Sequence, residues 1–195
     1  MKIRNILLLL LLLFPWVSNS YDRADWPHWS SVPKDISLNR YPECQGKSLN
    51  VRNKILIDRS IDPVVINPDT KSCTVLTGRW MSPYTGKELT QSSDVQIDHL
   101  VPLAYVDARV PDWTREQRRA YANSELQDYH LLIVEGDLNM QKRASPPYKW
   151  LPPDRSCEYI IAYLLTMMDW NIHLSEGENK LILQSATKCT ANQEP

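Results

Sequence analysis

From Asp94 to Asp98 apolar and polar positions alternate, with Val95 and Ile97 on one face and Asp98 on the other, which predicts a strand ending where the chain bends. His130 opens a second apolar run, Leu131 to Val134. Glu135-Gly136-Asp137 then turns the chain, and Leu138 to Arg143 reads as one or two helical turns stopped by Pro146 and Pro147. Helical period recurs elsewhere. Asn50 caps a predicted helix through Arg59, with Val51, Ile55 and Leu56 as its stripe. The capping box Thr114-x-x-Gln117 starts a helix to about Asn123. The longest helix starts at Ser156 or Asp154 and runs to about Trp170, with Tyr159, Ile160, Tyr163, Leu164 and Met167 as core positions. A second box, Ser175-x-x-Glu178, begins a final helix before Cys189. Ser72 to Leu76 reads as a strand and Ser82 to Gly86 as a turn. Tyr21 to Tyr41 shows neither period and is expected to be extended, packing Trp26 and Trp29 onto the domain. There is no internal repeat, glycine-rich phosphate loop or coiled-coil heptad.

The first residues form a separate pattern. Lys2 and Arg4 precede the apolar run Ile6 to Phe14, too short to span a bilayer, and Ser18-Asn19-Ser20 supplies small residues for a signal peptidase. Residues 1–20 are therefore expected to be an export signal and 21–195 a single mature domain starting at Tyr21, secreted or periplasmic, without lasting membrane attachment. In an oxidising compartment Cys44, Cys73, Cys157 and Cys189 read as disulfides and not as a thiolate metal site. Three connectivities are possible; Cys44 with Cys73 and Cys157 with Cys189 is favoured because each closes a local loop.

Charge alters this picture only in part. The formal charge is −1, and losing Lys2 and Arg4 makes it more negative, so tight non-specific nucleic-acid binding is not expected. A local basic groove remains open to Arg115, Arg118, Arg119, Lys142 and Arg143, unless the first three form a solvated helix face. His28 and His173 read as structural or surface residues.

Candidate chemistry centres on Asp98-His99. A carboxylate that holds a hard cation, beside an imidazole that titrates near neutrality, is what metal-assisted phosphodiester hydrolysis requires. Asn139 and Lys142, three apart, share a helical face, placing an amide oxygen for the same metal and an ammonium near a phosphate. Asp107 and Arg109 are further residues expected near the site.

The pattern Asp98-His99-x-x-Pro102-Leu103, a polar residue at 130 before an apolar run, then Asn139-x-x-Lys142, resembles the HNH endonuclease (His-Me finger) superfamily, in particular its secreted bacterial branch. Gly78-x-Trp80-x-x-Pro83-Tyr84-Thr85-Gly86, Tyr121-Ala122-Asn123 and Trp150-x-Pro152-Pro153 extend the likeness over about Cys73 to Cys157, with a weaker echo at Arg52 to Ser60. The resemblance implies two strands and a helix around one divalent ion, with Asp98 and Asn139 as ligands and His99 as general base. His130 stands where the superfamily usually has Asn. It braces the loop or base, adds a ligand, or marks a weakened site; bracing is the favoured reading.

These observations together lead to the expectation of an α+β single domain, a ββα-metal core among helices with disulfides restraining the ends. The expected function is hydrolysis of DNA, with RNA as the alternative polymer, using one magnesium or manganese ion and His99, His130 and Lys142 as catalytic residues. The competing readings are a secreted binding module that has lost catalysis, and a phosphodiesterase for small substrates.

Overall fold

The computed structural model describes residues 21–191, apart from the side chains of residues 38 and 188–191. The export segment and the side chain of Cys189 lie outside the described residues. After a 3-10 turn at Arg23–Asp25 come α1 (Lys34–Arg40), α2 (Val51–Asp58), β1 (Val65–Ile66), β2 (Val75–Met81), β3 (Glu88–Gln91) and β4 (Val95–His99). There follow α3 (Leu103–Asp107), α4 (Arg115–Ala122), β5 (Leu131–Glu135), α5 (Gly136–Lys142), α6 (Ser156–Asp169) and α7 (Glu176–Ala191). The chain is thus a mixed helix-and-sheet single domain. Among the described residues no helix is long and apolar enough to cross a membrane.

Two small antiparallel sheets carry the strands, β1-β2-β3 and β4-β5. In the second, Asp98 pairs with Leu132 and His99 with Leu131, so this register fixes both residues at the strand end. The period of two then divides the side chains. Val95 and Ile97 join Leu131 and Ile133 against Val51, Ile55, Leu56, Val75 and Trp80 in one core cluster. Gln96 and Asp98 are bonded instead by Asn139 and Lys142 of α5. A larger cluster packs Trp26, Leu100, Val101 and Tyr121 with Tyr159, Ile160, Tyr163 and Met167 of α6. Burial of each large apolar side chain contributes about 1.5–3 kcal/mol, so these two clusters hold the β4–β5 pair from both sides.

Several elements differ from expectation. The strand expected at Ser72–Leu76 begins at Val75 and continues to Met81, because its partners are β1 and β3, two and four residues long and too short to give an alternating signal. Ser82 to Gly86 is the turn that joins β2 to β3, with Gly86 at φ 68°. Within the segment read as extended, Lys34–Arg40 is helical; seven residues are too few to display a 3.6-residue period. Trp26 and Trp29 do pack inward, Trp26 being fully buried.

The capping boxes at Thr114/Gln117 and Ser175/Glu178 form. Helix α6 instead starts behind Arg155, in the left-handed region at φ 53°, without a side-chain cap. Cys44 is bonded to Cys73, joining the segment before α2 to the approach of β2. Cys157 is also disulfide-bonded, while the expected partner's side chain is outside the described residues.

Candidate active site

The end of α4 leaves its last carbonyls without intrahelical donors, and two imidazoles supply them. His99 Nε2 lies 2.9 Å from the Ala122 carbonyl oxygen and His130 Nε2 lies 2.8 Å from that of Tyr121. A carbonyl only accepts, so each Nε2 carries the hydrogen and each Nδ1 keeps the lone pair of the neutral ring. Burial pushes the His99 imidazole well below its usual pKa, against the opposing hydrogen bond to Ala122, so the ring is neutral at pH 7. Burial likewise pushes His130 down, to about 4.

The rings of His99 and Tyr121 are stacked at 6.4 Å, and Trp29 lies 5.8 Å from His99. His99 lines a cavity of about 490 Å³; His130 does not, facing Tyr121 and Trp170 behind it. His130 therefore lies behind the wall of this cavity, bonded to the Tyr121 carbonyl, and not in its lining.

Asp98 reaches the same cavity but is heavily engaged. Its Oδ2 accepts from Lys142 Nζ at 2.5 Å and from the Tyr84 hydroxyl. Lys142 Nζ also donates to the His99 carbonyl oxygen at 2.8 Å and is 0% exposed. Its ammonium, expected near a phosphate, lies under the strand end and outside the cavity wall, bonded to Asp98 and the His99 backbone. Burial lowers its pKa while Asp98 opposes that shift. Tyr84 comes from the β2–β3 turn, and burial raises its hydroxyl pKa well above the usual value, with Asp98 adding to the shift.

That turn is tied down at other points. Ser82 Oγ donates to Glu135 at 2.5 Å, Thr85 donates to the same carboxylate, and Trp150 packs on Tyr84 at 5.2 Å. Upstream, Gly78 admits Trp80 and Ser60; a Cβ there would lie 2.4 Å from the Trp80 ring. The motif from Gly78 to Gly86 thus acts on the site through Tyr84.

Asn139 donates through Nδ2 to Gln96 Oε1 at 2.7 Å, which leaves its Oδ1 free of that bond, and it lines the cavity beside Asp98 and His99. Both donors to Asp98 converge on Oδ2, so Oδ1 carries neither. Two hard oxygens on one cavity wall suit a divalent ion that keeps most of its water, as magnesium does. Among the described residues no group of three or more His, Cys, Asp or Glu side chains gathers that could hold a metal instead.

Other expected site residues lie elsewhere. Asp107 accepts from Trp26 Nε1 at 2.9 Å, and Arg109 is bonded to Glu178 and the Tyr105 carbonyl. Arg115 and Arg118 bind the N-terminal segment, at the Ala24 carbonyl and at Asp25. None of these four, nor Arg119, lines the cavity, whereas Tyr21, Arg23, Trp29 and Arg52 do, and of the expected groove only Arg143. Arg52 stood at the edge of the weaker sequence echo; Arg23 and Trp29 belong to a segment without period and carried no signal.

Comparison with known proteins adds two findings. The family described as GmrSD restriction endonucleases, C-terminal domain, matches residues 50–184, from the cap of α2 into α7. An uncharacterized secreted protein of Arthroderma benhamiae is 28% identical over 174 residues, covering 88% of this chain and 76% of that protein. No solved structure matches significantly.

Proposed function

Because the chain belongs to the family of GmrSD restriction endonuclease C-terminal domains, an HNH-type family, we propose that it is a metal-dependent nuclease whose ββα core is β4, β5 and α5. One observation carries the reading: His99 is fixed as the tautomer with a free Nδ1 lone pair, in the same cavity as Asp98 and Asn139.

In this reading Asp98 and Asn139 would hold one magnesium or manganese ion. When bound, that ion supplies positive charge to the phosphate and the leaving oxygen. His99 Nδ1 takes a proton from the attacking water, and the Nε2–H bond to Ala122 keeps the ring from turning and steadies the imidazolium that results. Lys142 and Tyr84 fix the Asp98 carboxylate, so Lys142 is a positioning residue. His130 braces the end of α4. The substrate is a phosphodiester polymer, DNA first and RNA as the alternative.

Export agrees with the secreted relative, with the apolar run at Ile6 to Phe14 and with the disulfide. The cleavage site before Tyr21 is part of the same proposal.

A second reading, a binding module without catalysis, draws on one fact: Lys142 already neutralises the carboxylate that would hold the ion. Plasmid digestion by the parental protein and His99→Ala, with and without chelator, separates the two. The nuclease reading expects cutting only by the parent with metal; equal cutting by both proteins, or none by the parent, refutes it.

A further inference from the structure

Three arginines from distant parts of the chain line the His99 cavity: Arg23 in the N-terminal turn, Arg52 in α2 and Arg143 just past α5. Arg59, Arg79, Arg109 and Arg118 each have a carboxylate within ion-pair distance. Among the described residues the cavity arginines are in no such pair. Asp98 is the only carboxylate among the described lining residues, and Lys142 cancels it. The cavity is thus strongly positive in a protein whose overall charge is negative.

Arg52 is the most informative of the three. It is half-buried, and the partner of its guanidinium is the Ser92 carbonyl at 3.1 Å, accepting from Nη2. Burial lowers its pKa with no acidic neighbour to oppose it. A guanidinium has five N–H donors and no acceptor, so most of its capacity is unspent. Withdrawing such a charge from water without a counter-charge is costly, and an anionic ligand offsets that cost.

We propose that Arg23, Arg52 and Arg143 form an anion cradle that grips substrate phosphodiester groups in the His99 cavity, with Arg52 as its anchor. The planar fork of arginine matches two phosphate oxygens at once, which a lysine does not. The proposal rests on the nuclease reading for the identity of the anion. The presence of an anion site rests on the arginines themselves.

The test is binding of a short fluorescein-labelled single-stranded DNA to the full chain, followed by anisotropy in excess chelator across a salt series. Arg52→Met and Arg143→Met should each weaken binding about tenfold or more and lower the salt slope by about one. Arg119→Met, an exposed control outside the cavity, should match the parent in both. Should Arg52→Met fail to fold by circular dichroism, Arg143→Met, at an exposed position, carries the test.

Folded cavity variants with parental affinity and slope would overturn the cradle, as would a parent with no salt-dependent binding. A parent that binds through these arginines but never cuts would instead overturn the nuclease reading and leave the cradle standing. A parent that cuts while its arginine variants bind normally would do the reverse.

Discussion

Asp98 and Lys142 meet inside the protein, Nζ 2.5 Å from Oδ2, the lysine 0% and the aspartate 5% exposed. Breaking a buried pair from one side strands the other charge, at a cost of about 3–5 kcal/mol. Lys142→Ala should lose stability on that scale in urea denaturation, and Lys142→Met with Asp98→Leu together should regain much of it. A single variant as stable as the parent would show that the pair is not closed to water.

The same pair makes Asn139, and not Asp98, the clean probe of metal. Asn139→Ala should need more divalent ion and recover at high concentration, whereas His99→Ala should lose about 100- to 10,000-fold in cleavage rate without rescue. Metal titration of plasmid nicking distinguishes them. An Asn139→Ala profile identical to the parent's would remove Asn139 from the metal site.

His130 is expected to brace, so His130→Asn should retain much of the activity with the same order of preference among magnesium, manganese, nickel and zinc. Loss of nickel or zinc affinity would instead make it a ligand. Activity profiles across the four metals decide the point.

Stability should fall in two acid steps. His130 has a folded pKa of about 4 against an ordinary 6.5, so the unfolded chain takes the proton more readily; stability is full above 6.5 and declines as pH drops towards 4. At Glu178 burial raises the pKa, but bonds from Ser175 and Tyr105 and the charge of Arg109 outweigh it and hold it at about 2, against an ordinary 4.5. Its contribution is full above 4.5 and is lost as pH falls towards 2. Denaturant midpoints across this range should show His130→Asn shrinking the upper step, to which the buried His99 also contributes, and Glu178→Gln the lower.

The exported protein should contain no free thiol and should start near Tyr21. Mass spectrometry after alkylation without reductant tests both. Alkylated cysteines or a retained Met1 would contradict the assignment.

Much of the site was legible because its parts obey local rules. The alternation at Val95 to Asp98 and the apolar run after His130 located β4 and β5, and the capping box located α4. What stayed hidden depends on contacts between distant segments. Lys142 read as a cation facing a phosphate, since nothing local reveals that Asp98 and the His99 carbonyl enclose it. Arg23, Arg52 and Trp29 meet His99 only after the chain folds back, and no period marks such a meeting. Helix α1 is too short to show its period, and β3 lies exposed with polar residues.

The bonding of two imidazoles to consecutive carbonyls of α4 turns that helix into a gauge for the base. Its distal end carries His99 and His130, while its flank and Asn123 hold the first described residues, at Ala24, Asp25, Pro27 and Ser30. Trp26 is wedged against Tyr121 and Trp113 within the same assembly. The amino-terminal strap and the proton acceptor are therefore coupled through one helix, so shortening the strap past Trp26 would disturb the acceptor's alignment together with the core that Trp26 shares with α6.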